Sequence, residues 1–353
     1  MSLNKYLGIG ISLMFLLLGC SNSTEQASEK NVSFKYGIVQ TSNLTRESEI
    51  VLFSSDWKIK KKIFINAGGL AGRFRKFKKY KHKLYIPVMG VPSAPDNRIL
   101  ELDLNNLNIK YFRVRDLPIT LDLNDKFLYV THNSALNYGI LSKIDIEKNK
   151  IVKEIKLEGL LTEVALANNR IYVMAEDPPS GRQTIYELDE SLEQKRVIEN
   201  KYTAYATDST IDDNKLLIAN ISDANKAGPA GAYTQLDLDT RQLSYINLPE
   251  VSPSQIFNLG NKLMITHYFF PRSTGNFVTV IDKKSNNKKV FALENKLIQS
   301  SVEGNRFYSL GKALTERGIS RRIYEYDLDS FKLLHVQEIA INNNMVISLF
   351  FIK

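Results

Sequence analysis

The chain has one cysteine, four histidines and one tryptophan in 353 residues. With Cys20 alone, no disulfide can form within the chain, so stability rests on packing. Apart from one stretch near the N-terminus no long apolar run occurs, and helical periodicity appears nowhere at length. No GxSxG elbow, HExxH, P-loop, CxxC or CxxCH is present. The standard hydrolase, zincin, nucleotide-binding and redox chemistries therefore lose support. Enzymes can carry scattered loop residues instead, so these absences leave an enzyme open while favouring a binding protein.

What is present is a repeat. A basic or polar residue followed by an aliphatic run returns as KLYIPV from Lys83, FLYVTH from Phe127, RIYVMA from Arg170, KLLIAN from Lys215, KLMITH from Lys262 and RFYSLG from Arg306. Each run precedes an aspartate at nearly fixed phase: Asp103, Asp145, Asp189, Asp237, Asp282 and Asp327, spaced 42, 44, 48, 45 and 45 residues apart. About 40–45 residues is the period of a four-stranded propeller blade. The segment LTEVALA, RIYVMA, QTIYELD, QKRVIEN reads as one such blade of short β-rich runs separated by turns.

A seventh copy is incomplete. FKYGIVQT from Phe34, EIVLFSSD from Glu49 and WKIKKKIFI from Trp57 supply three strands, with Asp56 placed 47 residues before Asp103. The missing inner strand is MVISLFFIK, Met345 to Lys353, so strands from both ends of the chain complete one blade and remove two exposed edges. The expected fold is all-β: a single β-propeller over residues 32–353, with seven four-stranded blades and a ring closed by the C-terminal strand. The pairs Tyr129-Val130 and Tyr172-Val173, with Tyr85-Ile86 close to them, resemble those of bacterial YVTN-type seven-bladed propellers. That resemblance implies an architecture and carries no catalytic motif.

The N-terminus suggests a location. Lys5 precedes an apolar stretch from Leu7 to Leu18 that is too short for a comfortable membrane span. Leu17-Leu18-Gly19-Cys20 resembles the lipobox of bacterial lipoproteins, which implies a cleaved signal peptide over 1–19 and diacylation of Cys20. Two acyl chains give stable anchoring to a bilayer. Residues 20–31 are polar and read as a tether. The expectation is a lipid-anchored protein on the extracytoplasmic face of a bacterial membrane, plasma or outer.

The repeated aspartates invite a metal reading, but each sits at a turn such as DLNNLN or DLDTRQ, where Asp hydrogen-bonds the local backbone. No metal site and no cofactor is expected. The loops after the second strands are long and varied, and they emerge on one face, the candidate binding surface for a protein, peptide or glycan partner. His132, Asn220 and His267 occupy one equivalent position, the last second-strand residue before the loop. The two histidines are candidates to face each other across the channel mouth as proton-transfer partners or metal ligands, in an alternative reading as a metal-dependent lyase, lactonase or cyclase. No carboxylate is placed to orient either. Tyr138, Tyr268, Phe269, Phe270 and Arg272 are further candidates, the aromatics either presenting a stacking surface or folding back as a cap. The net charge of +9, with basic runs KIKKK from Lys58 and RFRKFKKYKHK from Arg73, would suggest nucleic acid in a cytosolic protein. Outside the membrane it suggests anionic headgroups or polymers, or a plain solvated surface.

Overall fold

The computed structural model describes residues 32–71, 77–115, 117–135, 137–177, 180–200, 203–223, 228–315, 318–342 and 344–353. Cys20 and the rest of 1–31 lie outside them. Seven antiparallel sheets follow one another along the chain, six with their four main strands in sequential order from the channel outward and one with the C-terminal strand as its innermost. Blade five carries one small extra pairing, Gly228–Pro229 against its second strand. The molecule is a seven-bladed β-propeller.

Two features of the sequence explain the architecture. The second strands are aliphatic without alternation because both faces of every sheet are covered. There are seven apolar clusters, one between each pair of neighbouring blades. The Tyr-Val pairs sit here: Tyr129 and Tyr172 are 1% and 0% exposed, each packed against the adjacent blade. The repeated aspartates cap the turns between third and fourth strands. Asp282 accepts the Ser285 N–H and hydroxyl, Asp327 the same groups of Ser330, and Asp237 those of Thr240. Asp103, Asp145 and Asp189 accept backbone N–H groups in their own turns. The aspartates hold these turns.

The ring closes where expected. Val346–Ile352 pairs antiparallel with Tyr36–Thr41 as the inner strand of blade one. Gly37 lies opposite Phe351, where an added Cβ would stand 2.1 Å from the ring, so this position requires glycine. The single tryptophan stacks on Tyr36 at 4.1 Å, close to Phe350. Strands from Tyr36 to Ile352 thus complete the ring.

Candidate functional site: the loop face and the channel mouth

The channel is lined by the inner strands, and six of them share an irregularity. Pairing with the second strand slips by one residue around Thr120 and at Thr162, Thr207, Ser254, Ile298 and Ser348. Such bulges re-aim side chains and increase twist. Hydroxyls at the slip answer second-strand carbonyls: Thr162 donates to Met174 O, Thr207 to Ala219 O and Ser254 to Thr266 O.

The residue after the bulge reaches the next blade. Asp208 Oδ2 accepts the Ile256 N–H at 2.9 Å, and Gln255 Oε1 accepts the Ser300 N–H at 2.6 Å. Gln299 brackets Phe350, accepting its N–H at 2.9 Å and donating to its carbonyl at 2.7 Å. Asp122 similarly accepts the Leu166 N–H and pairs with Lys78 at 2.7 Å. Burial opposes the Lys78 charge, but the carboxylates of Asp122, Glu163 and Asp208 more than offset it and raise the pKa. These polar groups join blades, and their capacity is largely spent on the scaffold. Among the described residues, no three His, Cys, Asp or Glu side chains gather as a metal site.

At the loop-face end the channel opens into a cavity of about 120 Å³ lined by inner-strand residues Thr162, Tyr205 to Asp208, Ser254, Gln255, Ile298 and Gln299, with Phe77, Ile221, Tyr268 and Phe270 at the rim. Tyr205 has φ +58° inside a strand. A bulky side chain in the left-handed region costs on the order of 1–3 kcal/mol and persists only where its surroundings enforce it. That backbone aims the ring at Phe270, 5.8 Å away and tilted. Phe270 is 40% exposed, held on a short 3-10 turn Phe270–Arg272 that ends in a left-handed Ser273. Gly275 lets the returning strand pass, since a Cβ there would lie 2.2 Å from His267 O.

The candidates from sequence divide accordingly. Phe270 and Tyr268 border the mouth, Phe270 presented to solvent and Tyr268 folded back as a cap between blades six and seven. Phe269 is half-buried with the exposed Arg272 guanidinium 6.0 Å from its ring. Tyr138 lies elsewhere on the same face, under Lys156 Nζ at 3.7 Å, in a polar hollow of about 590 Å³ beside Glu158, Asp177 and Arg182.

His132, Asn220 and His267 do not meet across the channel. Each lies on a second strand, one strand outside the inner layer, and all three are at most 1% exposed. His267 is held by Val251 O at 3.0 Å and Thr279 Oγ1 at 2.8 Å, and desolvation lowers its pKa to about 4. Asn220 belongs to a buried amide network, accepting from Gln183 and donating to Thr234. His267 and Asn220 thus have their polar groups bonded to the scaffold, and His132 is enclosed away from solvent. The reason is positional: the last second-strand residue still lies between two blades, because the strands run on. The second strands extend to Asp177, Phe269 and Thr315 before turning, so the long loops are tall hairpins.

Sequence reasoning missed Tyr205, Asp208, Gln255 and Gln299. A signal existed: Thr162-Glu163, Thr207-Asp208 and Ser254-Gln255 repeat a hydroxyl followed by an acid or amide in successive inner strands.

No family model and no curated protein matches the chain. Solved structures do resemble it. The dihydro-heme d1 dehydrogenase NirN in complex with DHE is 12% identical with a TM-score of 0.58, covering 92% of this chain and 77% of that one. BamB from Moraxella catarrhalis is 11% identical at 0.51, covering 85% and 87%. The Pan2 WD40 domain of Neurospora crassa is 12% identical at 0.54, covering 80% and 94%. They share the propeller fold. At such identities the likeness reaches no further, since one fold hosts many functions.

Proposed function

We propose that this chain is a bacterial lipoprotein, anchored through acylated Cys20 on the extracytoplasmic side of a membrane, whose propeller binds a protein, peptide or glycan on its loop face. The observation that carries the binding reading is the channel mouth, where the left-handed Tyr205 and the exposed Phe270 form an aromatic rim over a cavity with polar walls. Strain held beside a cavity is characteristic of sites that contact ligands. A mouth of about 120 Å³ suits one apolar or aromatic side chain of a peptide segment, because the flanking amides are already bonded to backbone and contribute shape more than free donors. Leu17-Leu18-Gly19-Cys20 supports the anchor, and the Tyr-Val pairs support kinship with YVTN-type propellers.

Site-specific photo-crosslinking tests the binding reading. A crosslinker at Phe270 should capture a discrete envelope partner that one at Lys284, on the opposite turn face, does not. Equal capture at both positions, or none at either, overturns it. The anchor is tested separately by fractionation: Cys20→Ser should release the protein from the membrane, and retention of that variant would exclude acylation at Cys20 as the anchor.

A further inference from the structure

Blade one differs from the other six on its outside. Among the described large apolar side chains, the three most exposed are Leu44 at 77%, Phe64 at 67% and Ile59 at 56%, and all belong to this blade. Its outer strand Ile59–Ile65, IKKKIFI, carries three lysines and no acid. No other outer strand carries three cations without a carboxylate; Lys150–Glu158, for example, alternates lysines with Glu154 and Glu158. Lys58 pairs with Asp56 and Lys62 reaches Glu49 at 3.5 Å, while Lys60 and Lys61 have no such pairs among the described residues.

The second basic run behaves in the opposite way. Lys78 pairs with Asp122, Lys81 with Asp125 and Lys83 with Glu101, while Lys79 donates to Ile352 O. Its described lysines are each bonded to a carboxylate or carbonyl of the protein. Among the described residues of the two runs, Lys60 and Lys61 of the first lack such pairs, and they stand on a strand with exposed apolar side chains.

We infer that the outer edge of blade one is a docking surface for an anionic lipid bilayer, with Lys60 and Lys61 at the headgroups, Ile59 and Phe64 entering the interface, and Leu44, on the hairpin between the second and third strands, at the loop-face end of the contact. Cations near such a surface gain roughly 1 kcal/mol each, and apolar side chains gain in proportion to the area they bury. A soluble polyanion would reward the lysines alone, so the paired apolar exposure selects a membrane. The geometry agrees. The chain enters the ring at the turn-face end of this blade, where the Lys35 N–H donates to Phe53 O. The twelve residues 20–31 span at most about 40 Å, and the seven-residue edge strand is about 23 Å long. Docked along this edge, the ring stands edge-on to the bilayer, and the channel mouth stays open to the side.

The inference shares the membrane location proposed above but not its anchor, so residues 32–353, which complete the ring without the lipid-bearing segment, provide the test. Sedimentation with phosphatidylcholine vesicles, with and without phosphatidylglycerol, should show binding that depends on the anionic lipid. Lys60→Glu with Lys61→Glu should weaken it by at least about fivefold per lysine. The matched pair Lys288→Glu with Lys289→Glu, on blade six, should change it less than about twofold, because lysines away from the contact add little beyond a Debye length. Leu44→Ser, Ile59→Ser and Phe64→Ser together should also release the protein while leaving its melting temperature unchanged. The proposal is overturned by absence of vesicle binding, by equal loss in the two charge-reversal pairs, or by indifference to the serine variants with competition by soluble polyphosphate, which would identify a polyanion surface instead.

Discussion

The two faces of the ring solve different problems with the same strands. On the turn face the same device recurs: an aspartate accepts backbone N–H groups, and a residue in the left-handed conformation follows, as at Leu107, Asn149, Leu192, Arg241, Asn286 and Phe331. On the loop face the described residues show no such shared device, and blade six combines a left-handed serine, a 3-10 turn and an exposed phenylalanine. Uniformity marks connections that only need to turn. Divergence, with strain at Tyr205, is what the proposed binding role of the loop face requires.

The largest effect separating the faces should come from the buried support of the loop face. His267→Ala removes both partners of Val251 O and Thr279 Oγ1 and leaves a cavity, so it should cost about 2–4 kcal/mol by urea unfolding. If His267 were instead a ligand-facing group, that cost would be near zero.

A pH titration sharpens the same contrast. His267 has its folded pKa lowered to about 4, so below its unfolded value the unfolded state takes up a proton the folded state refuses. Stability is full above about pH 6.5 and declines toward pH 4, by on the order of 3 kcal/mol. Thermal melts across that range should show the decline in wild type and not in His267→Gln. The turn aspartates act lower. Lys195 and Ser191 beside Asp189, and the backbone N–H groups bonded to Asp145, Asp237, Asp282 and Asp327, hold those carboxyls below the ordinary range. Their contribution is present above the unfolded value and is lost as pH falls through the folded one, so a second decline should begin below about pH 4.

Tyr205→Asn tests function against stability. Asparagine tolerates the left-handed backbone that a tyrosine resists. The melting temperature should hold or rise slightly, while crosslinking of a partner through position 270 falls. A variant that binds as wild type would mean the strain serves only the fold.

The smallest effect should be Asp282→Ala on the turn face, a slight loss of stability at neutral pH that disappears in acid, measured by the same melts. A large loss would mean this turn does more than connect.

The periodic parts of the molecule were legible because they repeat. Forty-odd-residue spacing, aliphatic second strands and turn aspartates each follow from one local rule applied seven times, and the split blade was visible because Phe34 to Ile65 lacked an inner strand that Met345 to Lys353 supplied. Six of the seven second strands could be aligned to the residue, but alignment does not give depth. His132, Asn220 and His267 share a phase, and that phase means burial between blades only because the hairpins extend past them.

Sequence by itself therefore determined the blade count, the ring closure and the structural role of the aspartates, since these depend on contacts within some forty residues or on one strand seeking an edge. Tertiary structure alone decided which residues meet at the channel mouth. Tyr205 and Phe270 come from different blades, and their approach depends on a left-handed backbone and on packing between sheets, neither of which leaves a periodic trace in the chain.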